Sequence, residues 1–261
     1  MSPALRVTLL QADLVWEDPE ANRRALSREL QGLAGMTDLV VLPEMFTTGF
    51  SMQPERMAED AGGPTAAWLQ TLAAELDAAV VGSVMTRAGV RHYNRLLWAT
   101  PQGPLQHYDK RHLFRMGGED THYAAGNELL LVEWRGFRIA PLICYDLRFP
   151  VWSRRRSGYD YDLLVYVANW PAVRRHAWTT LLPARAIENQ CYVAGVNRCG
   201  NDGVGVPYAG DSIVHDFRGE PLAVMPAGPG QTTISLDRDA LIEFRKRFPA
   251  HLDADGFTLR P

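Results

Sequence analysis

Three reactive side chains of different kinds follow apolar, strand-like runs in this sequence. Cys144 ends the run RIAPLIC, Glu44 follows DLVVLP, and Lys110 comes just after the strand-like LQHY. A thiol is a nucleophile, a carboxylate can accept its proton, and an ammonium can stabilise negative charge on a carbonyl oxygen. Together these groups could cleave an amide.

Each of the three residues also has a purely structural explanation when it is taken alone. A cysteine in an apolar strand is more often a small core residue than a nucleophile. Glu44 either caps a loop or acts as a general base with an altered pKa, because a buried carboxylate is costly unless it is paired or used. A single lysine such as Lys110 usually lies on the surface. Position in the chain alone does not decide between these explanations.

The elements that must position these residues begin as a βαβαβ pattern. Short apolar runs at residues 6–11, 38–43 and 79–84 predict buried strands. Apolar residues at helical spacing within 19–34, and again within 68–76, predict two helices between those strands. Ligands bind at the carboxyl ends of the strands in open α/β sheets, which is where Glu44 would lie.

Antiparallel pairing is predicted for the rest of the chain. Strand-like runs flank the turns Pro101–Gly103 and Arg135–Gly136, and each pair reads as a hairpin. Further strands are predicted at 162–168, 192–196, 212–215, 221–224 and 231–236, with a helix at 178–188 and an amphipathic tail around Leu241, Phe244 and Phe248. Without a linker or an internal repeat, the economical interpretation is one α/β domain over residues 1–261.

Composition and charge exclude several classes of function. A net charge of −3 and a pI near 6.2 do not favour nucleic acid or an anionic membrane as a partner. No stretch approaches the roughly 20 apolar residues of a membrane span, and the start lacks a secretory signal. Three cysteines without a CxxC pair suit neither a disulfide framework nor a zinc site. We therefore expect a cytoplasmic protein with reduced thiols and no metal.

The motifs LPEMF, YDKRHLF and LICYDLRFP, in this order, resemble the nitrilase superfamily of carbon–nitrogen hydrolases. The segments VYVANWP, ARAIENQCYVAGVNR and YAGDSIVHD extend the similarity through nearly the whole chain and towards the omega-amidase branch. True nitrilases tend to carry Trp-Glu after the cysteine, whereas this chain has Tyr145 and Asp146, which makes nitrile hydrolysis the weaker option. Several ordered motifs are far more specific than any single one.

The resemblance implies a four-layer α-β-β-α sandwich and a set of roles. Cys144 would be the nucleophile, Glu44 the general base, and Lys110 the oxyanion stabiliser together with the backbone N–H of Tyr145. A second glutamate that helps to hold this triad falls on Glu119, in the looser segment MGGEDTHY. A nearby lysine would also favour the thiolate form of the cysteine. No metal or organic cofactor is implied.

The omega-amidase resemblance implies a small dicarboxylate monoamide as substrate, such as 2-oxoglutaramate or 2-oxosuccinamate. Arg174 and Arg175 are candidates for binding the distal carboxylate, since a guanidinium can bind both of its oxygens. Trp170 and Phe46 are candidates for apolar pocket walls. Exposed loop arginines and core aromatics are the alternatives for these four residues.

Other functions stay open at this point. Another amidase, a carbamoyl-amide hydrolase or a nitrilase of the same superfamily would share the chemistry and differ in the pocket. A non-catalytic binding module is a different class, against which the intact set of Glu44, Lys110 and Cys144 argues. Relatives typically pair through one face of the sandwich, so a homodimer or a larger homo-oligomer is expected.

Overall fold

Fifteen β-strands form the framework of residues 4–259, the part of the chain that the computed structural model describes. They are β1 (Leu5–Gln11), β2 (Leu39–Val41), β3 (Glu59–Asp60), β4 (Ala79–Ala88), β5 (Arg91–Ala99), β6 (Gln106–Asp109), β7 (Val132–Trp134), β8 (Phe137–Ile143), β9 (Leu163–Ala168), β10 (Tyr192–Asn197), β11 (Cys199–Asn201), β12 (Pro207–Ala209), β13 (Ile213–His215), β14 (Pro221–Val224) and β15 (Gly230–Leu236).

Two large sheets contain most of these strands. The first has the order β15-β1-β2-β4-β5-β6, with β3 beside β4, and the second has the order β14-β13-β10-β9-β8-β7. Strands β1, β2 and β4 run parallel, as do β8, β9 and β10. The outer strands pair antiparallel, except for β3, which runs parallel to β4. Parallel strands end at the same edge of their sheet, so each sheet presents a group of carboxyl ends.

Within the described residues, seven α-helices flank the sheets: α1 (Pro19–Glu29), α2 (Pro54–Met57), α3 (Pro64–Leu76), α4 (Glu119–His122), α5 (Pro150–Ser153), α6 (Arg175–Asn189) and α7 (Arg238–Arg247). Helix α1 begins where the sequence chemistry favours it. The Asp18 carboxylate accepts from the Ala21 N–H at 2.9 Å, and Pro19 occupies the first turn, where its missing N–H costs nothing.

The packing has four layers, as the resemblance implied. Alternate residues of a strand face opposite sides. In β1, Leu9 packs in a core shared with the second sheet, whereas Leu10 packs with α1 and α3. On the far side, α6 lies against β10 so closely that a Cβ on Gly195 would come within 2.6 Å of Leu182. The α-β-β-α sandwich is thereby confirmed.

Several element boundaries differ from their predictions. Helix α1 ends at Glu29 rather than 34, because the chain turns there and Gly32 adopts a positive φ of 84°. Leu33 keeps the helical spacing and is buried, but it lies in the turn that follows α1. Strand β4 continues beyond 84 and forms a hairpin with β5 that the sequence analysis missed, as it missed β3, β11 and β12. Both predicted hairpins are present.

Candidate active site

Three strand ends converge where the carboxyl edges of the two sheets meet. Glu44 lies three residues beyond β2, Lys110 directly follows β6, and Cys144 directly follows β8 of the second sheet. Glu44 is fully buried, and Lys110 and Cys144 are only 1% and 8% exposed. Two polar groups and a thiol therefore occupy the interior at a position where burial without partners would be costly.

Lys110 is held between two carboxylates. Its Nζ lies 2.7 Å from Glu44 Oε1, and 3.0 and 2.9 Å from Oε1 and Oε2 of Glu119. Glu119 begins the short helix α4, and its Oε2 also accepts from the Phe114 N–H at 2.6 Å. The groups that contact the Glu119 carboxylate are all N–H donors, which is the arrangement that suits an ionised carboxylate.

Two asparagines that the sequence analysis missed complete this cluster. Asn94 Nδ2, from β5, donates to Glu44 Oε1 at 2.7 Å and to Glu119 Oε1 at 3.0 Å. The backbone N–H of Asn169 donates to Glu44 Oε2 at 2.7 Å. Asn94 shares the alternation of the buried Leu96 on the same strand. A polar residue on the buried face of a strand was the signal that could have identified it.

The backbone at Cys144 is held in an uncommon conformation. Its φ is +44°, in the left-handed region that non-glycine residues rarely adopt outside functional or strained sites. Asp146 supports this turn, since its Oδ2 accepts from the Ile143 N–H at 3.1 Å and the Tyr108 hydroxyl at 2.7 Å. Its Oδ1 accepts from the His112 backbone N–H at 3.0 Å. One buried carboxylate thus ties the cysteine turn to both flanks of Lys110.

The electrostatics favour a neutral thiol and a charged lysine. Burial alone would lower the pKa of Lys110, but Glu119 and Glu44 outweigh it and raise that pKa. Burial, followed by the charge of Glu44, raises the pKa of the Cys144 thiol, and the opposing effect of Lys110 is smaller. Lys110 does favour the thiolate, as expected, but burial and Glu44 outweigh it, so reaction of Cys144 calls for a base that removes its proton.

A pocket opens over Cys144 and Lys110. Its other lining residues are mostly aromatic or cationic: Phe50, Phe114, Tyr145, Arg148, Asn169, Trp170, Pro171, Arg174 and Tyr208. The Arg148 guanidinium lies 5.0 Å from the ring centre of Trp170, and that of Arg174 lies 5.2 Å from the ring centre of Phe114. The walls can thus contact apolar atoms while two guanidinium groups are available to an anion.

Two of the nominated pocket residues lie elsewhere. Phe46 is fully buried on the helical side of the first sheet, where it packs against Trp68, so its nomination as a pocket wall was wrong. Arg175 is at the start of α6 and forms a two-point ion pair with Asp211, at 2.6 and 3.0 Å, outside the pocket lining. Arg148 was not predicted from the sequence, although it lies four residues after Cys144 within the same turn, Cys144–Arg148.

Residues 4–259 contain no group of three or more His, Cys, Asp or Glu side chains arranged to hold a metal ion. None of the helices in this range is long and apolar enough to cross a membrane.

Comparison with known sequences places the motifs in one family. The carbon-nitrogen hydrolase profile matches residues 6–246. The chain belongs to the carbon-nitrogen hydrolase family. This hydrolase is 50% identical to the omega-amidase YafV of Escherichia coli K12 over 260 residues, which is 98% of this chain and 99% of YafV. The predicted family resemblance is thereby confirmed.

Two further relatives of this carbon-nitrogen hydrolase extend the comparison. The 2-oxoglutaramate amidase of Bacillus subtilis is 32% identical over 250 residues, 95% of this chain and 96% of the relative. The crystal structure of XC1258 from Xanthomonas campestris, a CN-hydrolase superfamily protein with an arsenic adduct in its active site, is 52% identical. It superposes with a TM-score of 0.97 over 99% of this chain and 100% of its own.

Proposed function

We propose that this hydrolase is an amidase that converts a small dicarboxylate monoamide, of the 2-oxoglutaramate or 2-oxosuccinamate type, into the 2-oxo acid and ammonia. The observation that carries the proposal is the contact of Lys110 with both Glu44 and Glu119 at a pocket that also contains Cys144. The names of the omega-amidase and 2-oxoglutaramate amidase relatives support this substrate class.

The first half of the reaction is attack by the Cys144 sulfur on the amide carbonyl carbon. Because the thiol pKa is raised, the sulfur loses its proton to Glu44 as the new bond forms. Glu44 is suited to this role since its buried carboxylate lies near enough to the thiol to raise the pKa of Cys144. The tetrahedral intermediate then breaks its carbon–nitrogen bond, and Glu44 returns the proton to the departing ammonia.

Two donors would stabilise the negative charge on the carbonyl oxygen. Lys110 lines the pocket with its ammonium, and Glu119 keeps that ammonium charged and in place. The backbone N–H of Tyr145 is near the start of the turn Cys144–Arg148, where N–H groups have no partner within the turn. In the second half, Glu44 removes a proton from water, which attacks the thioester on Cys144 and releases the acid.

The distal carboxylate of the substrate would bind to Arg148 and Arg174. Neither arginine forms an ion pair with another residue of the described range 4–259, and both lie at the pocket. A guanidinium binds a carboxylate through two parallel hydrogen bonds, so either residue can orient the substrate as well as attract it. Trp170 would contact the methylene groups between the two ends of the substrate.

The chemistry is tested by Cys144→Ala, with Cys191→Ala as the matched control. Both cysteines are buried and form no disulfide, but Cys191 lies before β10, outside the pocket lining. We expect release of ammonia from 2-oxoglutaramate to disappear in the first variant and to persist in the second. Full activity of a folded Cys144→Ala protein would refute the nucleophile.

The substrate class is tested by comparing 2-oxoglutaramate with simple aliphatic amides. Arg148→Met and Arg174→Met should raise KM for the charged amide more than for uncharged ones, whereas Arg175→Met, outside the pocket, should change neither. A wild-type preference for uncharged amides would contradict the dicarboxylate proposal while leaving the amidase chemistry intact.

The remaining features of the proposal concern the protein as a whole. We propose one domain over residues 1–261, which acts as a homodimer or larger homo-oligomer on a small-molecule amide. The three cysteines are free in the described chain, and free thiols persist in a reducing compartment, which supports a cytoplasmic location. Light scattering in solution tests the oligomeric state.

A further inference from the structure

Asn94 is the one neutral side chain that hydrogen-bonds to both carboxylates of the site within the described residues. It is fully buried, and its Nδ2 contacts Glu44 Oε1 and Glu119 Oε1. Because both neighbours are acceptors, the amide must present its nitrogen to them, which fixes its orientation. Its two N–H hydrogens match two acceptors, one for each carboxylate.

Asn94 lies beside two carboxylates that share a single cation, so these carboxylates need further hydrogen-bond donors. Glu44 Oε1 and Glu119 Oε1 both contact the single Nζ of Lys110, so two negative groups lie close together around one cation. Two carboxylates that share a site raise one another's pKa, and donors to the ionised form lower it. A neutral donor between them counters the mutual repulsion without adding a positive charge that would stabilise a thiolate at Cys144.

The oxygen of the Asn94 amide indicates that the role of this residue lies in its two N–H donors. Its Oδ1 is buried and has no hydrogen-bond partner within the described chain. A buried acceptor without a partner destabilises a fold, so an apolar residue of similar size would serve β5 better if packing were its only role.

We propose that Asn94 is a positioning residue that holds the Glu44 carboxylate in place as the base for Cys144. This inference rests on the proposed role of Glu44. The titratable groups that act on Glu44 and its partners come from several elements. They are Lys110 after β6, Glu119 on α4, Tyr123 after α4, Cys144 after β8 and Tyr208 on β12.

The test is the pH dependence of Cys144 alkylation by iodoacetamide, followed by mass spectrometry of the peptide that contains it. This readout does not require amide turnover. Asn94→Leu keeps the volume and removes both donors, and Asn94→Ser retains one. Loss of the two donors leaves the pair of carboxylates with Lys110 as their shared donor, so the midpoint of the acid limb of alkylation should rise by about one pH unit in the Leu variant. The Ser variant should lie between it and the wild type.

The matched control is Asn189→Leu on α6. Asn189 is also buried, and its amide donates to the Arg185 carbonyl at 2.9 Å and accepts from the Arg155 N–H at 2.9 Å. Its replacement should lower the melting temperature but leave the acid limb in place, since it has no contact with Glu44.

The outcomes separate this inference from the amidase proposal. An acid limb that stays at the wild-type pH in folded Asn94→Leu, or in Asn94→Ser if the Leu variant does not fold, overturns the role of Asn94. Absence of amide hydrolysis by the wild type refutes the amidase proposal instead, while the alkylation profile still tests Asn94. When both assays work, the acid limb of kcat/KM should move together with that of alkylation.

Discussion

Replacement of Lys110 by methionine tests how the buried charges support one another. The chain contains only two lysines, and the other, Lys246, is exposed on α7. Methionine keeps most of the side-chain volume but leaves Glu44 and Glu119, both without side-chain exposure, lacking their cation. Removing one partner of a buried ion pair typically costs about 3–5 kcal/mol, so the free energy of unfolding should fall by about that amount at pH 7. For a chain of this length, the melting temperature should fall on the order of 10 °C.

The loss of unfolding free energy in Lys110→Met should change with pH in a defined direction. Burial already raises the pKa of Glu119, and Lys110 is the largest of the influences that lower it, ahead of the hydrogen bonds from Asn94 and Phe114. Without that cation the carboxyl pKa rises further, so the folded variant binds a proton that the unfolded chain releases above a pH of about 4.3. The free energy of unfolding of the variant then falls as pH rises, by up to about 1.4 kcal/mol per unit. The deficit relative to wild type should be smallest near the model-peptide pKa and largest at neutral pH.

The assay is urea denaturation followed by circular dichroism between pH 5 and 8, with Lys246→Met as the control. The control should lie within about 0.5 kcal/mol of wild type at every pH. At temperatures where Lys110→Met stays folded, its kcat for amide hydrolysis should fall at least about 10²–10³-fold, the usual cost of one oxyanion donor. A variant as stable as the wild type at pH 7, or a deficit that is independent of pH, would refute this account of the buried cluster.

Two further predictions concern the base and the distal end of the fold. Glu44→Gln should slow alkylation of Cys144 at pH 7 at least about tenfold, because burial, the larger cause of the raised thiol pKa, still leaves little thiolate when the base is gone; an unchanged rate would exclude Glu44 from that role. Arg245→Met removes an ion pair of 3.0 Å to the buried Asp162, which precedes β9 at the end opposite the site. Arg238 and Arg138 still pair with Asp162, so the free energy of unfolding should fall by about 1.5–3 kcal/mol, the usual contribution of a hydrogen bond to a charged group, in urea titrations. The value of kcat at 25 °C should not change, and a loss of kcat in the folded variant would contradict this prediction.

Much of the fold followed from local pattern. The strands that carry Glu44 and Cys144 are short apolar runs followed by a change in composition, and both observed strands end within three residues of these side chains. Such runs predict buried strands because a sheet covered on both faces excludes water from every position. Helix α1 was predicted too long, since Leu33 remains apolar at helical spacing after the chain has turned.

The pocket was less predictable than the reacting groups. Arg174 and Arg175 are adjacent in sequence, yet the first lines the pocket while the second pairs with Asp211. Arg148 had no local signal beyond its place one turn after the cysteine. Which arginine faces a pocket depends on the path of the neighbouring loops, and no periodicity within a loop encodes that path.

The sequence by itself determined the chemical identity of the site, because thiol, carboxylate and ammonium are properties of residue type, and their ordered motifs identify the family. Only the tertiary structure decided their burial, pKa and hydrogen-bond partners. Packing of the two sheets desolvates Cys144 and raises its pKa, gives Lys110 two carboxylates instead of one, and brings Asn94 between them. Burial and charge proximity depend on residues far apart in the chain, so they exist only after the sheets have met.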